Sequence, residues 1–369
     1  MGEPRHAPPS QVLDQLRDSL HELDRYPATR GIDELREAIS DWLIRRFALP
    51  PASIDAQSNV LPVNGTREAL FSFTQCVTGP DPERPLVAIP NPFYQIYEGA
   101  TLLAGQRPAF YDAHTRDFAC VSDSTWRRIQ LLFICTPGNP TGQVLDIGVL
   151  QHLLDLAHRH DFVIASDECY SEIYFDETRP PAGLLAAAAA NGDATYRRCM
   201  VFHSLSKRSN LPGLRSGFVA GDSRLIEQFF KYRTYHGCAM SVPVQRASIT
   251  AWRDEKHVVE NRALYRQKFA DALQALRGSL DVEQPEAGFY LWPNIHGDDI
   301  EFARDLYAGH AVTVLPGQFL GRDTGEGNPG SGRVRMALVA NPEECRTAIE
   351  RVVEFLHNRS NNGQVNRPD

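Results

Sequence analysis

The stretch MVFHSLSKRSNLPGLRSG, Met200–Gly217, decides how this chain is read. It opens as a strand, because Met200, Val201 and Phe202 form a short apolar run ahead of polar, turn-prone residues. Ser204, Ser206 and Lys207 follow within four positions, and Arg215 comes eight residues after the lysine. Pro212-Gly213 forces a turn between them, so Arg215 is expected to double back toward the serines. Two hydroxyls and a guanidinium meeting at one spot suit a phosphate, since arginine offers a planar donor fork to its oxygens. A lysine beside them suits an imine with an aldehyde.

Aldehyde and phosphate together are the chemistry of pyridoxal phosphate. The lysine is unusual in its context. The chain has 38 Lys+Arg but only four lysines, Lys207, Lys231, Lys256 and Lys268. Arginine cannot form the imine, because it keeps its proton at any working pH. A lone lysine is more often a solvated loop charge, so neighbouring residues must carry the case. Ser204-Leu205-Ser206-Lys207 also fits the S-x-x-K pattern of serine acyl-enzymes. Those need S-D-N and K-T-G elements as well, and neither string occurs in the chain.

The 369 residues, 42% hydrophobic and 23% charged, are ample for a core. A single core stops growing near about 250–300 residues, so two domains are expected. The net charge is −8 and no basic block appears, which argues against a nucleic-acid partner. No apolar run is long enough for a bilayer and no signal peptide opens the sequence. The seven cysteines are scattered, odd in number and without a C-x-x-C pair. They read as reduced thiols in a cytoplasmic protein, with no disulfide frame and no metal site.

Working outward, short apolar strands are expected at Val60–Val63, Leu86–Ile89, Leu131–Cys135, Phe162–Ala165 and Phe218–Ala220. Amphipathic helices are expected at Ser10–Leu23, with Ser10 as N-cap, from Asp33 to Phe47, and after Asn64-Gly65-Thr66. The turn at Gly65 and Thr66 leaves first-turn N–H groups that favour an anion, although a plain cap is the commoner meaning. Asn139 sits in the turn Thr136–Gly142, and Asp167 directly follows a buried strand. Strand–helix–strand order from Val60 to Phe202 marks an α/β fold, a mainly parallel sheet with helices on both faces. Asn139, Asp167 and Lys207 all lie just past strands, where open α/β sheets bind ligands. A long helical stretch is expected over Val244–Leu276. Strands at Gly288–Trp292, Val312–Leu315 and Arg333–Val339 and a helix at Pro342–His357 then give a smaller α+β domain. Gly321–Gly332 reads as a mobile loop, and Asn358–Asp369 as a frayed polar end. The expected division is a large domain at 30–260, a small one at 1–29 and 261–358, and a polar tail at 359–369.

Asn139-Pro140-Thr141-Gly142, Asp167-Glu168-Cys169-Tyr170, Ser204–Lys207 with Arg215, and Arg333–Leu338 occur in that order. The chain resembles the fold-type I, class I/II aminotransferases that use pyridoxal 5′-phosphate, over essentially its whole length. The resemblance implies that Lys207 holds the cofactor as an imine and moves the substrate proton. Burial and nearby cations favour the neutral amine that this needs. It implies that Asp167 pairs with the pyridine nitrogen, that Tyr170 and Asn139 bond to the ring's phenolate oxygen, and that Tyr94 stacks on the ring. Ser204, Ser206, Arg215 and the backbone at Gly65 and Thr66 would hold the phosphate. Tyr26 would reach the neighbouring subunit's phosphate in a homodimer. Arg335, rather than nearby Arg333, would grip the substrate α-carboxylate, with Asn139 and Gly2 beside it.

Two departures stand out. Family members ordinarily carry a longer arm ahead of the motif seen here as Gly2-Glu3-Pro4, so either the arm is absent, with part of the dimer contact or active-site cover missing, or the start of the sequence is misassigned. Aspartate-type members use a partner-chain arginine where this sequence has Tyr235-His236-Gly237-Cys238, so aspartate is not the expected substrate. The strings GEPRHAPP and YPATRGIDELREAI are most similar to those of bacterial N-succinyl-diaminopimelate aminotransferases, which use 2-oxoglutarate in lysine biosynthesis. A distal succinyl carboxylate would need a cation, for which Arg30 and Arg25 are candidates. Competing expectations are another amino-acid aminotransferase, a β-elimination lyase on the same scaffold, and a non-catalytic regulatory domain.

Overall fold

A computed structural model describes residues 2–365, with side chains through position 359. Ten strands form two sheets. The large sheet has seven: β1 Val60–Val63, β2 Leu86–Asn91, β3 Arg107–Asp112, β4 Ile129–Cys135, β5 Val163–Asp167, β6 Cys199–Ser204 and β7 Gly217–Gly221. Their order is β1-β7-β6-β5-β4-β2-β3. The pairs from β6 through β3 are parallel, and β7 runs antiparallel to both neighbours.

Alternation along the strands explains why both faces are covered. On β4, Leu131 and Phe133 point to one side, joining Ile89 of β2, Phe202 of β6 and Phe73 of helix Thr66–Val77. Leu132 and Ile134 point to the other, joining Ile164, Val201, Trp42 and Leu150. A strand buried on both faces reads as a continuous apolar run, as LLFIC at Leu131–Cys135 does.

The small sheet, β8 Tyr290–Leu291, β10 Val334–Ala337 and β9 Leu315–Pro316, is antiparallel in that order. Helices Lys256–Leu276, Asp299–His310 and Pro342–Val365 pack on it through Phe269, Phe302, Leu306, Val352 and Phe355. Tyr170 and Ile173, from the loop after β5, belong to this second core. Of the N-terminal stretch, residues 2–6 lie along the small sheet's core, with Arg5 N donating to Val339 O at 3.0 Å. Helix Ser10–Asp18 instead buries Val12 in the core of the large sheet, beside Leu35 and Trp252.

Several local expectations change. β3 was not expected; it is a part-exposed edge strand containing Pro108, so its apolar pattern is weak. The N-cap of the first helix is Pro9, and Ser10 is already helical without a capping bond. The stretch from Val244 to Leu276 is two helices, Val242–Arg253 and Lys256–Leu276, parted where Asp254 turns extended. The closing helix runs on to Val365, past His357, so the polar tail is helical to that point. Residues 366–369 of that tail lie outside the described residues. The glycine-rich segment 321–332 is tied at its start, where Arg322 pairs with Glu98 at 2.5 Å and its N–H donates to Asn91 Oδ1 at 3.0 Å. Among the described residues no helix is long and apolar enough to cross a membrane.

Phe202 is fully buried and meets Phe73 edge-on at 5.5 Å between ring centres. Phe202→Ala is expected to cost about 3–5 kcal/mol, the range for a large aromatic removed from a packed core. A urea titration of the two proteins measures it.

Candidate active site

The carboxyl ends of β2, β4, β5 and β6 open on one rim, because parallel pairing sets them side by side. Cys135 pairs with Asp167, and Asp167 with Phe202. Asp167 is thus the last residue of its strand, 4% exposed. Its Oδ2 accepts from Tyr97 Oη at 2.7 Å and its Oδ1 from Cys169 N at 3.3 Å. Burial pushes this carboxyl above its ordinary pKa, while the Tyr97 hydrogen bond opposes that rise.

β6 ends at Ser204, and a single helical turn, Leu205–Arg208, carries Ser206 and Lys207. Ser204 caps that turn: its Oγ accepts from Ser206 N at 3.0 Å and donates to Ser206 Oγ at 2.9 Å. The chain then turns through Pro212–Leu214 and returns as β7, with Ser204 opposite Gly217. Arg215, exposed and with φ +53°, reaches across to the turn after β1, where Nη2 donates to Asn64 O at 3.4 Å. Gly65 caps the next helix with φ +84°, and a Cβ there would lie 2.4 Å from Arg215 Nη2. Only glycine leaves the helix N-terminus and the guanidinium free to face the same anion. Thr66 Oγ1 lies 3.1 Å from Cys169 Sγ, which links this turn to the end of β5.

Lys207 is half-buried, and its Nζ donates to Gly2 O at 2.5 Å and lies 5.4 Å from the centre of the Phe289 ring. Burial pulls its pKa down to about 8, helped by the Arg335 and Arg67 guanidiniums and opposed by Cys169 and Glu3. Near neutrality such an amine gives up its proton far more readily than an ordinary lysine.

Across the cleft, Arg335 is 8% exposed on β10. Its Nη1 donates to Asn139 Oδ1 at 2.7 Å and its guanidinium lies 4.4 Å from the centre of the Tyr290 ring. Arg333, two residues earlier and just ahead of β10, is held elsewhere: its Nη1 donates to Trp292 O at 2.9 Å. Tyr290 Oη is 2.9 Å from Tyr170 Oη, and a Cβ on Gly2 would come within 2.5 Å of Tyr290 Oη. Gly2, with φ +100°, therefore has a second reason to be glycine. Tyr94 stands at the mouth, its Oη accepting from Arg67 Nε at 2.6 Å and its ring edge-on to Tyr97 at 5.8 Å.

Lys207, Asp167, Tyr170, Asn139, Arg335, Gly2, Gly65, Thr66, Tyr94, Ser204, Ser206 and Arg215 thus surround one cleft through these contacts. Tyr26 does not; it is wholly exposed on the surface of its own chain. Sequence reasoning gave no specific role to Tyr97, Tyr290 or Arg67. Arg67 stands next to Gly65-Thr66 and Tyr97 three residues after Tyr94, both already singled out, whereas nothing marked Tyr290. Elsewhere, Glu68, His236 and Cys238 bring metal-ligating atoms together, but both Glu68 oxygens are held by the buried Arg233 guanidinium at 2.9 and 2.8 Å.

The donor set fits an aldehyde phosphate: a proton-shedding amine, a buried carboxyl, a glycine-lined anion cradle and an arginine. The sequence pattern described as "Aminotransferase class I and II" matches residues 1–352. The chain belongs to the class I and II aminotransferase family and is a pyridoxal-phosphate-dependent transaminase. Its fold matches the crystal structure of an aminotransferase from Neisseria meningitidis, with a TM-score of 0.91 and 51% identity over 96% of this chain and 91% of that one. A structure described as a "probable N-succinyldiaminopimelate aminotransferase" from Thermus thermophilus matches with a TM-score of 0.83 and 26% identity, over 96% and 93%. In sequence, the chain is 28% identical over 366 residues to an LL-diaminopimelate aminotransferase of Nitratidesulfovibrio vulgaris, covering 96% of this chain and 90% of that protein.

The raised pKa of Asp167 has a stability consequence. With the folded value above the unfolded one, folding is penalised once pH rises past the ordinary carboxylate range, and not below it. In the cofactor-free protein, Asp167→Asn is expected to raise the urea midpoint at about pH 7 and to leave it unchanged at about pH 4.

Proposed function

We propose that the enzyme moves the amino group of N-succinyl-LL-2,6-diaminopimelate to 2-oxoglutarate. The observation that carries an α-amino-acid donor is the buried Arg335, steadied by Asn139 and Tyr290 on the side of the cleft facing Lys207. A guanidinium so placed takes a substrate α-carboxylate in a bidentate pair. The diaminopimelate skeleton is favoured by the strings GEPRHAPP and YPATRGIDELREAI. The names of the Nitratidesulfovibrio and Thermus relatives, both diaminopimelate-type aminotransferases, support it as well.

In this reading Lys207 would hold the cofactor covalently, then take the proton from substrate Cα and pass it to the carbon that bore the cofactor's aldehyde. The bound cofactor supplies a protonated ring that takes up the electrons released there. Asp167 keeps the pyridine nitrogen protonated, with Tyr97 keeping the carboxyl ionised and aimed. Tyr170 and Asn139 bond to the phenolate oxygen, and Tyr94 covers the ring face. Ser204, Ser206, Arg215, Gly65 and Thr66 bind the phosphate, with Tyr26 of a second subunit completing it in a homodimer. Gly2 leaves room beside the α-carboxylate.

The distal carboxylate falls to Arg67 in this proposal. Arg30 is taken up by Glu227 at 2.5 Å and lies 3.9 Å from the centre of the Phe230 ring, and Arg25 pairs with neighbouring Asp24 at 3.2 Å. Arg67 is exposed at the cleft mouth, and its charge already acts on Lys207.

Lys207→Ala is expected to lose the visible band of covalently held cofactor and nearly all transamination. Arg335→Ala is expected to weaken donor binding chiefly, by about 2–5 kcal/mol as for a desolvated pair that loses one partner. Arg67→Ala should raise KM much more for the succinylated donor than for a monocarboxylic one. Donors are compared with 2-oxoglutarate as acceptor. Equal or better use of unsuccinylated diaminopimelate would overturn the choice of substrate, and keto-acid-independent pyruvate formation would indicate a lyase.

A further inference from the structure

Both ends of Lys207 are tied to one buried side chain. The amine donates to Gly2 O at 2.5 Å. The backbone carbonyls of Lys207 and Arg208 lie 3.4 and 3.5 Å from Asn261 Nδ2, which they share. Asn261 Oδ1 accepts from Asn210 Nδ2 at 3.1 Å and meets His6 Nδ1 at 2.7 Å. Carbonyls on one side and an amide donor on the other allow a single orientation of the Asn261 amide. His6 must therefore carry its proton on Nδ1 and donate it. His6 lies four residues after Gly2, and its ring packs on Tyr265 at 4.7 Å. Between them, Arg5 N is bonded to Val339 O, and Lys268 Nζ donates to the flanking carbonyls of Leu338 and Ala340. The circuit runs from the Lys207 carbonyl through Asn261, His6 and the N-terminal segment to Gly2, and back to the Lys207 amine.

Asn261 is 3% exposed and His6 8%, so water cannot readily replace either partner. We propose that Asn261 is a positioning residue for the reaction, fixing where the Lys207 amine rests by holding both the lysine's own backbone and the N-terminal segment that receives the amine. Asn261 is uncharged, and removing it leaves in place Cys169, Arg335 and Arg67, which act on the amine; Glu3, which raises its pKa, belongs to the segment that Asn261 holds. What changes is the cover. Without Asn261, His6 loses its acceptor, residues 2–6 loosen and water reaches Nζ. Losing the Gly2 carbonyl and the nearby Glu3 charge lowers the amine's pKa, and regaining hydration raises it. Hydration wins, because burial is the largest cause of the depression.

The proposal deepens the reading of Lys207 as the cofactor lysine, and the two are tested separately. In full-length protein freed of cofactor, competitive acetylation with acetic anhydride across a pH series gives the titration midpoint of the Lys207 amine. The expected midpoint is about 8 in the parent protein. It is expected to rise by about one pH unit in Asn261→Ala. His6→Phe, which keeps a ring on Tyr265 but removes the N–H, should move it the same way by a smaller amount. In the loaded enzyme, kcat should fall more than KM for the donor changes. Unmoved midpoints in both folded variants overturn the proposal; if Asn261→Ala does not fold, His6→Phe decides alone. Retention of the cofactor band by Lys207→Ala would instead sink the role of Lys207 and leave the midpoint comparison standing.

Discussion

Parallel register is the constraint from which the cleft follows. Cys135, Asp167 and Phe202 stand level across β4, β5 and β6, so the chain leaves β4 and β5 at one height and β6 two residues further on, at Ser204. Each exit then drops a different functional group onto a shared rim: the turn holding Asn139, the carboxyl of Asp167, and the one-turn helix bearing Lys207. Only β7 of this sheet, running the opposite way, begins at that rim instead of ending there. It thereby brings Arg215 back beside the serines that precede the lysine. A ligand on this rim is gripped from several strand ends at once, each stiffened by a core on both faces of the sheet.

Polar residues next to hydrophobic strands were the legible part. The strands β1, β2, β4, β5 and β6 announce themselves as apolar runs, and the groups just beyond them declare the chemistry. Residues whose meaning depends on distant closure were not legible. Tyr97 looks like one more aromatic on an amphipathic helix until Asp167, 70 positions later, is placed against its hydroxyl. Tyr290 lies 120 positions from Tyr170, and nothing local marks it as the residue wedged between Gly2, Tyr170 and Arg335. The edge strand β3 escaped because half-exposed strands do not carry the continuous apolar signal of central ones. Asp254, which separates two helices, reads in sequence as an ordinary polar surface position.

Charge in the cleft is arranged by burial as much as by pairing. Desolvation drives the lysine toward neutrality and the carboxyl toward protonation, each away from its ordinary charged state. The groups that oppose this differ. Tyr97 supports the carboxylate through a direct hydrogen bond, whereas Glu3 and Cys169 act on the ammonium through space. The lysine is left near its balance point, at about 8, which suits the proton transfer proposed for it.

Gly2 lies buried between Tyr290 and the Lys207 amine, with its carbonyl turned inward. Position 2 is thus fixed from two sides, by the room its missing side chain leaves for the tyrosine hydroxyl and by the carbonyl that receives the amine. A bulkier residue at this one point would displace the ring beside Arg335 and the resting place of the lysine in a single stroke.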